Sequence, residues 1–493
     1  MKTTTRFLPF ALLSSLMLAA QPAQQQEIRK PMANICIGKK YEIGTRVPYR
    51  VYVTDKTDAA NAAVYVMLEY NADQIAPLLN TFVNDGIMPG GLVLFVNPGT
   101  LNATLPGGAN RNMRAEEFDE YGPEFINLIV EEMIPEAADL AKVKISTNPD
   151  MHFFTGGSSG GMSAWNALWF RNDFFHRGFL SSPTFSAMRG GEEPMVLVRK
   201  CETRPMRFYL SVGTREPDYF FGDSYNVAVN AKGAFDFAGY DYAFDMFVGE
   251  GHCARRADPA FLRKVMTFVW DKWQTEPVKA GKNQIRIRNL LAPGSHWEPA
   301  ESIPEPRQAK APNGGYYTFK EGKILLVNDG KETIVAETLD KITALAVSSD
   351  HWRLYVADAN RRFVYAYTIQ PDSTLSAQYK LAPFHLAHDC RIIGALDMCV
   401  AEDDRVFIAT ELGVQGIVSF GLNDVILPLP GDLPADKVRL EGNILYAASG
   451  DKIFRRPLAI SAPAADAKPA APKTPGYSDG FDYSRPHDMP EHP

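Results

Sequence analysis

From about residue 40 to 275, short apolar runs rich in β-branched and aromatic residues alternate with longer segments whose apolar positions recur every three to four residues. The runs are RVPYRVYVTD, AVYVMLEY, GGLVLFVNPG, MHFFTGG, RGFLSS, RFYLSVG and YAFDMFVGEG. Alternation of this kind predicts a mostly parallel sheet covered by helices. PEFINLIVEEMIPEAADL sets Phe125, Leu128, Ile129 and Met133 on one helical face, and FLRKVMTFVWDKW reads as the helix that closes the domain. Ligand sites in such sheets gather at the carboxyl ends of the strands, which directs attention to the loops after each run.

The texture changes at about residue 276. A segment rich in Pro, Lys and Glu, residues 276–311, reads as a linker, and beyond it short β-rich runs are separated by turn residues. LAVSSDHWRLYVADANRRFVYAY, MCVAEDDRVFIATELGVQGIVSF and VRLEGNILYAASGDKIFRRPL resemble one another, with KEGKILLVNDGKETIVAE as a weaker fourth. A repeat of about 40 to 50 residues with a polar turn before each β-rich run is the pattern of propeller blades. Residues 312–458 are therefore expected to form a smaller all-β domain like part of a β-propeller. Residues 459–493 are rich in Pro, Ala and Asp and are expected to form a disordered tail.

At the other end, Lys2 and Arg6 precede an apolar run from Phe7 to Ala20 that ends in small residues and glutamines. This is the pattern of a secretory signal over residues 1–20, and the run falls short of the roughly 20 apolar residues a spanning helix needs. A secreted or periplasmic protein is expected, with no membrane insertion after cleavage. The first globular unit is then residues 28–275. A formal charge of −7, with no dense basic stripe, argues against nucleic acid as partner. The five cysteines are scattered and form no CxxC pair, so neither a disulfide framework nor a thiolate metal site is expected.

The strongest chemical signal is Phe153-Phe154-Thr155-Gly156-Gly157-Ser158-Ser159-Gly160-Gly161, an apolar strand running through G-x-S-x-G-G into the helical pattern MSAWNALWF. Such a turn is a nucleophile elbow, which lifts a serine above the sheet edge with a helix N-terminus behind it. Ser158 is the favoured nucleophile. The pattern shifted by one residue would choose Ser159, which otherwise supplies an oxyanion-stabilising N–H. A serine needs a base and the base an orienting carboxylate, in the chain order serine, acid, histidine. RFYLSVG leads into Thr214-Arg215-Glu216-Pro217-Asp218, and YAFDMFVGEG leads into His252. Of nine histidines, only His252 follows both the serine and a candidate acid within the first domain. Glu216 is favoured as the acid, with Asp218 the alternative. The second oxyanion donor is expected just past AVYVMLEY, at Tyr70 or Asn71.

On LVLFVNPG, RNMRAEEFDEYGPEFINLIVEEMIPE, GGSSGGMSAW, VGTREPDYF and FAGYDYAFDMFVGEGH, the first domain resembles the esterase D and enterochelin-esterase-like branch of the α/β-hydrolases. That branch is related to feruloyl and acetyl-xylan esterases of the first carbohydrate esterase family. The resemblance implies a doubly wound α/β-hydrolase sheet and acyl-ester hydrolysis without a cofactor. It carries the nucleophile onto Ser158, the acid onto Glu216 and the base onto His252. Where those relatives carry a Gln-Asp-Gly-type turn, this chain has Glu69-Tyr70-Asn71. RLYVADANRRFVYAY, ALDMCVAEDDRVFIATELGV and GDKIFRRPL resemble the gluconolactonase and senescence-marker-protein propellers. Of the Glu, Asn and Asp metal ligands of those relatives, only Asp397 has a counterpart. Thr343 stands at the asparagine position, so Asp397 is a remnant and no metal is expected.

The leading expectation is a secreted serine esterase acting on a small-molecule or polysaccharide ester such as an acylated carbohydrate. The alternatives are a metal-dependent sugar lactonase in the second domain and a non-catalytic glycan- or protein-binding chain. The export pattern predicts a mature N-terminus near Gln21 or Gln24, which intact-mass measurement of exported protein checks. Full-length protein retained in the cytoplasm would overturn it.

Overall fold

The computed structural model describes residues 30–40, 46–337 and 340–464. The export segment and residues 465–493 of the expected tail lie outside the described residues. The first half is built on one sheet of β1 (Met32–Ile37), β2 (Arg46–Val53), β3 (Ala63–Leu68), β4 (Gly91–Val96), β5 (Thr100–Leu101), β6 (Arg111–Asn112), β7 (His152–Gly157), β8 (Arg177–Ser181) and β9 (Arg207–Arg215), completed by a last strand beyond a small hairpin. The hairpin is β10 (Asp218–Tyr219) with β11 (Gly222–Asp223), and the last strand is β12 (Asp241–Gly251). The order is β12-β9-β8-β7-β3-β4-β2-β5-β6, with β1 beside β2. Strands from β12 to β4 run parallel, and β2 turns antiparallel against β4.

Both faces of the central strands are covered, which is why β3 and β4 read as unbroken apolar runs and every residue in them is buried. Their side chains still divide by the two-residue period of a strand. Val64, Val66, Leu68, Leu92 and Leu94 enter one core, and Ala63, Tyr65, Met67, Val93 and Phe95 the other. The second of these cores lies beneath α1 (Ala72–Asn84) and a helix late in the half. The first is roofed by α2 (Glu124–Leu128), α3 (Ile134–Ala141), α4 (Ser159–Phe170), α5 (Pro194–Lys200) and α6 (Ser224–Ala238). The late helix is α7 (Pro259–Val269). The segment expected as one helix is wound as a π-helical turn at Ile129–Met133 between α2 and α3. Pro135 lies two residues beyond it and has no amide with which to continue the regular ladder. Phe125, Leu128, Ile129 and Met133 nevertheless all face the core.

Among its described residues, the second half forms four four-stranded antiparallel sheets. Their first strands in three successive cases, Ala309–Lys310, Ile342–Val347 and Asp397–Val400, pack one against the next, and Asp397–Val400 also packs on Lys437–Glu441 of the fourth sheet. The weakest of the four sequence segments forms a full hairpin, Lys323–Asn328 with Lys331–Glu337. Residues 276–311 do more than link the halves. They carry α8 (Ile285–Leu290), which buries Ile287 and Leu290, and Glu298–Pro299 pairs with Lys452–Pro457 at the edge of the fourth sheet. An edge is where a strand tolerates proline, because no ladder bond is lost there. Residues 459–464, placed in the tail from sequence, are bound in part: Ala459 N–H donates to Leu290 O at 2.8 Å and Ala462 N–H to Gly442 O at 2.6 Å. Asp397 is committed to protein donors. It accepts the amides of Met398 and Val438, each at 3.0 Å, and pairs with Arg439, while Thr343 Oγ1 donates to Ala395 O at 2.7 Å.

The halves meet at the loop after α5. Cys201 bridges to Ile426, Arg204 forks onto Asp432 at 2.7 and 2.9 Å, and Arg456 forks onto Glu202 at 2.6 and 3.1 Å. A cavity of about 1250 Å³ lies between them, lined by residues that include Glu120, Trp169, Arg171, Trp297 and His388. Its lining does not include Ser158, Glu216 or His252. Arg456 is 1% exposed and also donates to Ser295 O at 2.9 Å. Arg456→Ala strands Glu202 at this junction and is expected to lower stability by about 3 kcal/mol, read as a lower urea midpoint. An unchanged midpoint would show that the pair does not hold the halves together.

Candidate active site

β7 ends at Gly157, and α4 begins at Ser159. Between them Ser158 adopts φ 58° and ψ −124°, a sparsely populated conformation for a side-chain-bearing residue, typical of sites where geometry is imposed by function. The glycines make the turn feasible. A Cβ on Gly156 would lie 2.4 Å from the Gly160 carbonyl oxygen, and one on Gly161 2.9 Å from Pro183 Cα. The two serines have different surroundings. Ser159 is 1% exposed and its hydroxyl accepts from Arg114. Ser158 is half-buried, and its hydroxyl has no hydrogen-bond partner among the described residues.

The carboxylate and the imidazole arrive on the two strands beyond β8 in the order. Glu216 directly follows β9 and His252 directly follows β12, its parallel neighbour. The Glu216 side chain is fully buried and hydrogen-bonded to His252 Nδ1. Its other oxygen accepts from Ser182 Oγ at 2.5 Å and from the Gly213 amide at 3.1 Å. Asp218 lies exposed on β10 and takes no part in this network. Nδ1 is engaged by Glu216, which leaves Nε2 as the ring nitrogen turned to other partners. No hydrogen bond joins it to Ser158 among the described residues.

Burial alone would raise the Glu216 carboxyl, but the donors His252, Ser182 and Gly213 outweigh it and hold the group below its ordinary range. Cys253 and Glu216 together push His252 up to about 10, against the opposing effect of burial. Cys253 itself is anchored, its amide donating to Ser182 Oγ at 3.0 Å and its thiol lying 3.6 Å from Ser181 O. Ser182 thus ties the acid's loop to the histidine's loop.

Glu69, Tyr70 and Asn71 follow β3, which is parallel to β7 with Met67 opposite Thr155. Continuing that register brings Tyr70 level with Ser158. Tyr70 is buried, and its amide has no partner among the described residues. Asn71 caps α1, its side chain accepting the Asp73 amide at 3.1 Å. The Ser159 amide opens α4, where the first N–H groups have no intrahelical partner. Sequence reasoning missed Ser182, Cys253, Arg114 and Arg256. Ser182 was within reach, since it ends the run RGFLSS at the carboxyl edge of the sheet.

No protein-family model and no curated protein matches the chain. Among solved structures, a ferulic acid esterase is similar at 16% identity and TM-score 0.37, over 49% of this chain and 98% of that one. The enterobactin esterase of Shigella flexneri is similar at 16% identity and TM-score 0.39, over 50% of this chain and 60% of that one. The siderophore hydrolase EstB of Aspergillus nidulans is similar at 18% identity and TM-score 0.37, over 51% and 98%. At this degree of likeness the fold is read from the strand order itself.

An imidazole biased toward its charged form accepts a proton only once it has lost its own. If His252 serves as base, kcat/KM rises as pH climbs from neutrality toward about 10, the value to which His252 is pushed. Cys253→Ala removes the largest raising contribution and shifts the rising limb to lower pH. The same bias lets the imidazolium stabilise the fold, fully below its ordinary value and progressively less as pH rises through about 10. A pH–rate profile of both proteins checks this, and a flat profile in the parent would overturn it.

Proposed function

We propose that the chain is a serine esterase, with Ser158 as nucleophile, His252 as general base and Glu216 as the carboxylate that orients it. The observation that carries this reading is the positive-φ turn at Ser158 in the same sheet as the Glu216–His252 pair, each at the carboxyl end of its own strand. Ser158 Oγ attacks the ester carbonyl carbon while His252 Nε2 takes its proton. The tetrahedral oxyanion collapses with loss of the alcohol, which leaves with that proton. Water, deprotonated by the same nitrogen, then releases the acid from the acyl-enzyme. The amides of Ser159 and Tyr70 serve as oxyanion donors.

The substrate class we favour is an acylated carbohydrate or a related natural ester, met outside the cytoplasm after export. The second half, with its four sheets in succession, is read as propeller-like and as a module that retains such a substrate. No helix among the described residues is long and apolar enough to cross a membrane.

Ser158→Ala and His252→Ala are each expected to lower turnover of an activated ester by about 10³-fold or more in a folded protein. Ser159→Ala keeps its backbone amide and is expected to be much milder. Glu216→Gln costs more than Asp218→Asn, because only the group bonded to Nδ1 fixes the tautomer. Peptide mapping after labelling with a fluorophosphonate checks the nucleophile. Label on Ser159, or full rate in Ser158→Ala, would move the apex by one residue.

A further inference from the structure

The turn after β3 lacks the glycine-containing motif of the relatives that the sequence resembles, yet residue 69 is fixed at every polar group it has. Its amide donates to Val96 O at 2.9 Å, and its φ of 55° turns the chain sharply at the end of the strand. Its carboxylate is held by Arg114 through two parallel bonds, Nε to Oε1 and Nη2 to Oε2, each 2.9 Å. The third arm of that guanidinium, Nη1, donates to Ser159 Oγ. One planar group therefore ties the residue before Tyr70 to the residue after Ser158. The remaining polar atom, Glu69 O, accepts from Arg256 Nη2, and the Arg256 guanidinium lies 4.7 Å from the centre of the Tyr70 ring. Arg256 Nη1 lies 2.6 Å from where a Cβ on Gly157 would stand, so the same side chain lies against the elbow itself.

We propose that Arg114 and Arg256 are positioning residues that form a two-arginine clamp on Glu69 and so hold the amides of Tyr70 and Ser159 at oxyanion-binding distance from one another. The inference rests on the esterase reading above. Glu69 O and Tyr70 N–H belong to one peptide group. A cationic donor on its oxygen fixes the plane of that group and polarises its N–H, which strengthens the bond the amide can donate. Arg114 acts on the other side, locking the first turn of α4 to the end of β3. Neither guanidinium is required to touch the substrate. Its effect is felt only where negative charge develops, so it appears in kcat and not in ground-state binding.

The test compares the parent with Arg114→Ala, Arg114→Lys, Arg256→Ala and Glu69→Ala, using p-nitrophenyl acetate for turnover and phenylboronic acid as a tetrahedral mimic. The expected result is a fall in kcat of about 10- to 100-fold for each alanine variant with KM nearly unchanged. Affinity for the boronate should fall in proportion to kcat. Arg114→Ala combined with Glu69→Ala should cost little more than either alone, because both break one link. Arg114→Lys, which cannot form the fork, should stay impaired though its melting temperature is preserved, and guanidinium ion should restore part of the rate to Arg114→Ala. Unchanged kcat in the alanine variants, or a rise in KM alone, would overturn the clamp while leaving the esterase reading in place. A parent no faster than Ser158→Ala would overturn the esterase reading and the clamp with it.

Discussion

The amide of Ser158 donates to Ser181 O at 2.9 Å, while its own carbonyl accepts the amides of Gly161 and Met162 at 2.8 and 3.2 Å. With a further bond from the Thr184 amide to the same carbonyl at 3.3 Å, these bonds hold a conformation that costs about 1–3 kcal/mol wherever it is not over-determined. They also join the end of β7 to the end of β8 and to the first turn of α4. Everything else in the site is referred to that junction. Ser182, the next residue after β8, reaches Glu216, and the amide after His252 reaches Ser182. Loops following separate strands are thus tied into one body through a pair of adjacent serines, although β12 shifts register against β9 between Phe247 and Gly251.

The sheet was legible in the sequence because burial on both faces leaves an unmistakable trace. AVYVML and GLVLFV have no polar position, and helices must lie above and below any strand of that kind. The candidate serine, acid and histidine were legible for a related reason, since each directly follows a β-rich run, even though β12 is only partly buried. The choice between Glu216 and Asp218 was open because two carboxylates three positions or fewer from a strand end look alike until one is buried and the other is not. Arg114 and Arg256 were beyond sequence reasoning. They sit 45 and 187 positions from Glu69, on loops with other charged residues, and only the three-dimensional return of the chain separates a guanidinium that grips a turn from one that faces water.

The second half illustrates a different limit. Its repeats were visible, but a pattern of turn and strand says nothing about where the last repeat's edge strand comes from. The edge of the fourth sheet is taken from Glu298–Pro299, inside a segment whose prolines and charges mimic a free linker. Proline content measures how little a segment contributes to ladders, and an edge strand of two residues needs very little. Part of the contact between halves falls on Cys201, Glu202 and Arg204, just before β9, the strand that delivers Glu216.

That placement has a consequence for how the chain is made. Residues 201–204 leave the ribosome long before their partners: Arg204 waits 228 residues for Asp432 and Glu202 waits 254 for Arg456. At ordinary synthesis rates this is an interval on the order of tens of seconds. Until then Glu202 and Arg204 lack the charges they fork with, and Cys201 lacks its bridge partner Ile426. The order of synthesis thus gives the second half a role in completing the first.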